Sequence, residues 1–156
     1  SNVVEVRVDD EPSWVEVALE GPPIDVINNV GSALYPHAFG GDRGFLEADT
    51  GQYDDPAEVF GWCGGAVLLR RDYLDDVGLF DERLFLYYED TDLSWRGLLR
   101  GWRYRYVPTS VVRHRHAQSS GVGSPVFSYH TQRNRPLVAA KNAPELGNTI
   151  RQKVRQ

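Results

Sequence analysis

Alternating apolar and polar residues predict several short strands along this chain. Residues 3–8 and residues 14–19 alternate on either side of a polar turn, which is the pattern of a hairpin. Residues 24–27 follow two prolines and predict a further short strand. Residues 104–107 and 111–114 are strand-like as well, so strands are expected in both halves of the sequence.

Helical spacing is clearest just after an acidic cluster in the middle of the chain. Apolar residues recur there at intervals of three and four positions, at Trp95, Leu98, Leu99 and Trp102. This spacing places them on one face of a helix. Asp90 or Thr91 would cap the start of that helix, and Gly101 would end it.

Weaker signals complete the predicted order of elements. Residues 71–77 predict a short helix, and residues 129–141 predict a longer one that Pro136 disturbs. The apolar run 66–69 predicts a buried strand, whereas residues 28–57, rich in Gly, Asp and Asn, predict a long loop. Strands and helices in this order predict an α/β fold in which helices flank a mixed sheet.

Composition limits the class of protein. The chain has 156 residues, enough for one domain, and no apolar run reaches the ~18–20 residues of a membrane span. No signal peptide is recognisable and the single Cys63 leaves no internal disulfide, so a cytoplasmic location is expected. The sequence contains no methionine, which suggests an excised piece of a longer protein.

Charge divides the chain into two unlike parts. Residues 1–95 hold 5 Lys or Arg and 21 Asp or Glu, whereas residues 96–156 hold 12 Lys or Arg and 1 Asp or Glu. The basic part would suit phosphates or an anionic membrane face, unless the two parts simply pair with each other. The acidic first part and the pI near 5.3 argue against a nucleic-acid-binding protein.

The acidic cluster Glu89, Asp90 and Asp92 is the strongest candidate for chemistry. Carboxylates at a helix start lie near the positive end of the helix dipole, so we expect them to stay ionised and to be able to act as bases. The simpler alternative is a helix cap with further first-turn acids. Asp92 and Arg96 are four positions apart and are expected to pair and stiffen the helix.

Two other groups of residues have a functional and a plainer interpretation. His114 and His116 would share one face of a continuing strand and could hold a divalent metal, or they form an exposed basic turn. Gly64 and Gly65 would let a ligand approach the backbone, or they form a tight turn. Cys63 has no evident base partner, so a thiol nucleophile is not expected.

A series of short motifs follows a specific order along the chain. The motifs are GWCGGAVLLRR at 61–71, VGLFDE at 77–82, LYYEDTDLSWR at 86–96, GWR at 101–103, VP at 107–108, His114, SS at 119–120 and RN at 133–134. In this order they resemble the second half of a family 2 glycosyltransferase, especially the bacterial rhamnosyltransferase-like branch. The resemblance covers roughly residues 28–142, between N-terminal strands at 1–27 and a polar tail at 143–156.

The resemblance implies a GT-A fold and an inverting transfer of a sugar from a nucleotide-sugar donor to a hydroxyl of a cell-envelope glycan or lipid-linked acceptor. It implies that Asp90 is the general base, that Glu89 helps to place the acceptor, and that His114, rather than His116, binds Mg²⁺ or Mn²⁺ beside the diphosphate. The residues that would line the sugar and acceptor pocket are Trp62, Gly64 and Gly65. A deoxythymidine-diphosphate-rhamnose donor and peripheral contact with the inner face of the cell membrane are further expectations.

The resemblance leaves out the first half of such enzymes, which carries the nucleotide-binding strands and an Asp-x-Asp metal motif. Residues 90–92 have that pattern but stand at the base position. We therefore expect the chain to lack most of the donor site, to be inactive alone, and to expose apolar surface and a sheet edge where the missing N-terminal half would pack. Two other classes stay open: a non-catalytic carbohydrate-binding or interaction module, and a hydrolase that uses Asp90 with a neighbouring acid.

Overall fold

The computed structural model describes residues 24–114 and 124–143, so the predicted hairpin within residues 3–19 and the side chain of His116 lie outside the described residues. The elements in chain order are β1 (Ser32–Tyr35), β2 (Phe39–Asp42), β3 (Ala57–Val59), α1 (Arg71–Val77), α2 (Glu89–Leu99), β4 (Tyr104–Tyr106) and α3 (Pro125–Asn142). The described part is therefore an α/β structure, as predicted. The expected mixed sheet is not found among the described residues, because all four strands pair antiparallel.

The strands form two small antiparallel sheets. β1 and β2 make a hairpin around a single 3₁₀ turn at Pro36–Ala38, and β3 pairs with the distant β4 so that Val59 lies opposite Tyr104. A bridge between Ser32 and Gly61 joins the hairpin to the chain that follows β3. This bridge holds the start of the 61–71 motif beside the hairpin.

Several strand and loop predictions are wrong. The supposed loop 28–57 contains the β1–β2 hairpin and the start of β3, because two glycines inside β2 conceal its alternation. The run 66–69 forms no strand and is largely exposed, with Leu68 98% exposed, since no described segment pairs with it. Residues 24–27 and 111–114 are not strands either, apart from one isolated bridge in the first of them.

The first two helices were predicted correctly in place. α1 ends at Gly78, whose positive φ of 89° suits glycine and whose N–H donates to the carbonyl oxygen of Leu74 at 2.9 Å. α2 follows Tyr88, which has a left-handed φ of 69° and provides no side-chain cap. The expectation that Asp90 or Thr91 caps this helix is therefore wrong, because both residues already lie inside its first turn.

α3 is longer than predicted and continues through Pro136. Ser124 precedes it, and its hydroxyl oxygen accepts a hydrogen bond from the N–H of Phe127 at 3.1 Å. A serine cap followed by proline at the first helical position stabilises a helix start. Among the described residues, no helix has the length and apolar character needed to cross a bilayer.

α2 lies between two hydrophobic clusters. Trp95 belongs to the cluster formed with α3, the β1–β2 turn and the segment before α2: Ala38, Leu84, Tyr88, Trp95, Val138 and Ala139. Leu93 belongs to the cluster formed with α1 and β4: Trp62, Tyr73, Val77, Leu93 and Tyr104. Burial on both sides holds α2 in place, and the acidic residues at its start are positioned with it.

Candidate functional site

The candidate site is built where the start of α2 meets the glycine-rich segment after β3. Asp90 is the second residue of α2, and its Oδ2 accepts a hydrogen bond from the main-chain N–H of Gly64 at 3.0 Å. Its Oδ1 accepts a hydrogen bond from the N–H of Thr91 at 2.6 Å. The structure thus brings together two predicted site residues that are 26 positions apart in the sequence.

His114 lies beside the second of the two glycines, Gly65. A Cβ atom placed on Gly64 would lie 3.7 Å from Oδ2 of Asp90, and one placed on Gly65 would lie 3.2 Å from Cε1 of His114. Nδ1 of His114 lies 2.6 Å from the side-chain oxygen of Asn28, so this amide orients the imidazole. No motif or spacing in the sequence marks Asn28 as part of this group.

Burial changes the protonation of both carboxyl groups at the start of α2. It raises the pKa of Asp90, and the negative charge of Asp42 adds to this effect, whereas the N–H groups of Gly64 and Thr91 oppose it. Burial, followed by the charge of Asp90, raises the pKa of Glu89 to about 7. Both shifts run opposite to the one that a helix dipole alone would produce, because loss of water outweighs the helix start.

Glu89 has a further feature that distinguishes it from a helix-capping acid. Its Oε2 atom is buried and has no hydrogen-bond partner among the described residues. A buried polar oxygen without a partner costs free energy, so a ligand hydroxyl that donates to it would be stabilised there. The carboxyl groups of Glu89 and Asp90 therefore stand at adjacent positions at the start of α2.

Asp92 is separate from this chemistry. It is fully buried, and it accepts hydrogen bonds from Arg96 Nε at 2.9 Å, Lys141 Nζ at 2.8 Å and Asn142 Nδ2 at 2.8 Å. The predicted pairing of Asp92 with Arg96 is confirmed. Because Lys141 and Asn142 lie on α3, this carboxylate ties α2 to α3.

Trp62 is buried and the adjacent Cys63 is half-buried. Trp62 is 7% exposed and packs in the cluster with Tyr73 and Leu93, and its main-chain N–H donates to the hydroxyl oxygen of Ser94 at 3.4 Å. A sugar contact by Trp62 stays a prediction. Burial raises the pKa of the Cys63 thiol, which agrees with the prediction that it is no nucleophile.

The described residues do not form a complete metal site. Within residues 24–114 and 124–143, no group of three or more His, Cys, Asp or Glu side chains is arranged to hold a metal ion. A metal at His114 would therefore need further ligands, from outside the described residues or from the substrate, to complete its coordination. Binding of Mg²⁺ or Mn²⁺ stays a prediction.

Comparison with known proteins identifies relatives of one chemical class. The chain is 48% identical over 69 residues to N-acetylglucosaminyl-diphospho-decaprenol L-rhamnosyltransferase of Mycobacterium tuberculosis, a stretch that is 43% of this chain and 22% of that protein. It is 34% identical over 89 residues to pre-mycofactocin glycosyltransferase of the same species, covering 50% of this chain and 19% of the relative. It is also 34% identical over 86 residues to rhamnosyltransferase WbbL of Escherichia coli, covering 53% of this chain and 32% of the relative.

The extent of these similarities limits what they establish. The chain spans less than a third of the length of each of these relatives. No protein-family model matches it, and no solved structure is significantly similar to it. The relatives nevertheless agree in their names on transfer of a sugar. The comparisons therefore support a glycosyltransferase family for the part of the chain that they cover.

Proposed function

We propose that this chain carries the acceptor-side, catalytic-base half of an inverting family 2 glycosyltransferase of the GT-A fold. The sugar moves from a nucleotide-sugar donor to a hydroxyl of a cell-envelope glycan or lipid-linked acceptor. The observation that carries this proposal is the position of Asp90, which is bonded to the exposed Gly64, while His114 lies beside the neighbouring Gly65.

The chemistry assigned to Asp90 is general base catalysis. Its carboxylate takes the proton of the acceptor hydroxyl while the hydroxyl oxygen forms a bond to the anomeric carbon of the donor sugar. The bond between that carbon and the diphosphate oxygen breaks, and the nucleoside diphosphate leaves with the electron pair. Since burial raises the pKa of Asp90, the carboxylate is a stronger base than an exposed aspartate.

Glu89 is assigned to the placing of the acceptor. Its buried Oε2, which lacks a partner among the described residues, would accept a hydrogen bond from a second hydroxyl of the acceptor. Gly64 and Gly65 would leave room for the sugar ring, because both are exposed and carry no side chain. The acceptor would then lie against the start of α2 with one hydroxyl directed at Asp90.

His114 is assigned to the leaving-group side. A divalent metal, when bound, supplies positive charge that stabilises the departing diphosphate. With Nδ1 beside Asn28, Nε2 of His114 would be the coordinating atom. The remaining ligands and the nucleotide site are assigned to a part of the enzyme outside the described residues.

The relatives suggest the substrates. Two of them are named as rhamnosyltransferases, and one name includes a decaprenol-linked acceptor. We assign deoxythymidine-diphosphate-rhamnose as the donor and a polyprenyl-diphosphate-linked sugar as the acceptor. Such an acceptor places the enzyme in the cytoplasm at the inner face of the cell membrane, where the basic second part of the chain would meet anionic lipid.

The test is a transfer assay on the protein in its longest natural form. It is incubated with deoxythymidine-, uridine- and guanosine-diphosphate sugars, with and without a polyprenyl-diphosphate N-acetylglucosamine acceptor, and release of nucleoside diphosphate is measured. The proposal predicts release that requires the acceptor and yields a glycosylated lipid of inverted anomeric configuration.

Two outcomes would replace the proposal. Release of sugar from a glycan without any nucleotide donor would indicate the hydrolase. Saturable glycan binding without turnover, unaffected by Mn²⁺ and by Asp90→Asn, would indicate a carbohydrate-binding module. Either outcome would remove the base role from Asp90.

A further inference from the structure

The turn that leads into α2 has an unusual backbone. Phe85, Tyr87 and Tyr88 all have left-handed φ angles, of 58°, 62° and 69°. For residues other than glycine this conformation is strained, so the surrounding structure must compensate for it. Three such residues within four positions make this turn the most strained described segment near the site.

One side chain from α3 accounts for much of that compensation. Asn134 is fully buried, and its Nδ2 lies 2.8 Å from each of the carbonyl oxygens of Leu84, Leu86 and Tyr87. The two amide hydrogens are shared among these three acceptors, which also identifies the nitrogen end of the amide. Its Oδ1 accepts a hydrogen bond from Arg133 at 2.7 Å, so both ends of the amide are satisfied.

The turn determines where α2 begins. Tyr88 immediately precedes the helix, and its carbonyl oxygen accepts the hydrogen bond from the N–H of Asp92 at 2.8 Å. Glu89 and Asp90 are the next two residues, so a change in the turn would rotate or shift both carboxyl groups. Asn134 contacts the turn and forms no hydrogen bond to either carboxyl group.

We propose that Asn134 is a positioning residue for the Glu89–Asp90 pair, acting through the left-handed turn that its amide holds. This role rests on the proposed function insofar as Asp90 is the base. It accounts for a polar side chain at a fully buried position of α3, where an apolar residue would pack without needing partners.

The test compares Asn134→Ala with Asn142→Ala. Asn142 has the same side chain, lies on the same helix and is 7% exposed, but its amide bonds Asp92 and Val138 rather than the turn. Both variants are expected to lower the melting temperature. If Asn134→Ala does not fold, Asn134→Ser, which keeps one donor, takes its place.

Two readouts distinguish positioning from a purely structural role. In the transfer assay, Asn134→Ala should lower kcat by about 10–100-fold with little change in KM, since misplacement of reacting groups by about 1 Å costs this much. The second readout is carbon-detected magnetic resonance of the 156-residue chain. In the parent the pKa of Glu89 is about 7, and in Asn134→Ala it should move towards the ordinary value of 4.5. Asn142→Ala should change kcat by no more than about twofold and should leave the titration of Glu89 where it is in the parent.

The second readout separates the two proposals. If the parent protein transfers no sugar but Asn134→Ala still moves the titration of Glu89 and Asn142→Ala does not, the proposed function fails and the positioning role stands. If both variants lose similar stability while the titration of Glu89 and kcat stay unchanged, Asn134 only supports the core and the inference is overturned.

Discussion

Oδ2 of Asp90 lies 3.0 Å from the main-chain nitrogen of Gly64 and accepts its hydrogen. This hydrogen bond joins the segment after β3 to the start of α2, and no sequence pattern predicts that the two segments meet. It fixes one carboxylate oxygen of Asp90 against exposed backbone that carries no side chain, so a ligand can approach from that side. A helix-capping aspartate would bond only to N–H groups of its own helix.

Glu89 should make folding stability depend on pH. Its pKa is about 7 in the folded chain against an ordinary value of 4.5, so the folded state keeps a proton that the unfolded state loses. Stability is therefore expected to decline as pH rises from about 4.5 to about 7, and to level off above that. Urea unfolding of the parent and of Glu89→Gln across this range measures the effect.

The stability of Glu89→Gln relative to the parent should be greater near pH 7.5 than near pH 4.5, because glutamine carries no charge to desolvate. A pH dependence in Glu89→Gln equal to that of the parent would mean that the folded protein does not retain the proton on Glu89.

Local patterns in the sequence predicted the helices better than the strands. α2 was predictable because Trp95 and Leu98 repeat at helical spacing, and α1 because a glycine directly follows its last turn. The β1–β2 hairpin was missed because Gly40 and Gly41 supply no apolar side chain to mark alternation. The run 66–69 was overinterpreted, because apolar character does not specify a partner strand.

The individual residues of the site could be predicted from the sequence, but the contacts between them could not. The acids at the start of α2 and the glycine pair are visible in the sequence, whereas the bond between Asp90 and Gly64 depends on packing between distant segments. Asn28 and Asn134 carry no local signal, because an asparagine has the same appearance in a turn and in a buried network.

Gly97, the single glycine of α2, should be hard to replace. A Cβ atom at this position would lie 1.9 Å from the hydroxyl oxygen of Tyr104 and 2.7 Å from Cε2 of Tyr73. Gly97→Ala would force the rings of Tyr104 and Tyr73 away, and it is expected to lower the free energy of unfolding by about 1–3 kcal/mol. Gly64→Ala serves as the control, because its nearest neighbour would be at an ordinary 3.7 Å.

Equal unfolding free energies of these two variants in urea titrations would contradict this expectation and would mean that the tyrosine pair can move without cost.

Asp92 should matter for stability rather than for catalysis. Asp92→Ala removes a fully buried carboxylate and leaves Lys141 and Arg96 without it, so we expect a loss of about 3–5 kcal/mol. Asp75→Asn is the matched control, because the Asp75–Arg71 pair is exposed and should contribute less than about 1 kcal/mol. Thermal and urea unfolding measure both.

A small effect of Asp92→Ala, similar to that of Asp75→Asn, would show that α2 and α3 are held together by the apolar cluster alone.

His114 should be needed for any metal dependence. Calorimetric titration of the protein in its longest natural form with deoxythymidine-diphosphate-rhamnose and Mn²⁺ should show metal-dependent binding that His114→Ala abolishes. Asn28→Ala should weaken it by about 10–100-fold, as expected for loss of the group that orients a ligand imidazole. His37→Ala, at an exposed turn position, should leave it unchanged.

Metal-dependent binding that survives in His114→Ala would remove His114 from the leaving-group side and assign the metal wholly to other residues.

The base role of Asp90 is the central claim, and steady-state kinetics of Asp90→Asn tests it most directly. Asparagine keeps the shape and can still accept from Gly64, but it cannot take a proton, so kcat should fall by about 10²–10⁴-fold while donor KM changes little. Asp75→Asn, at an exposed position of α1, should leave kcat unchanged. A kcat for Asp90→Asn within about threefold of the parent would contradict the account and leave Asp90 as a structural residue of the α2 start.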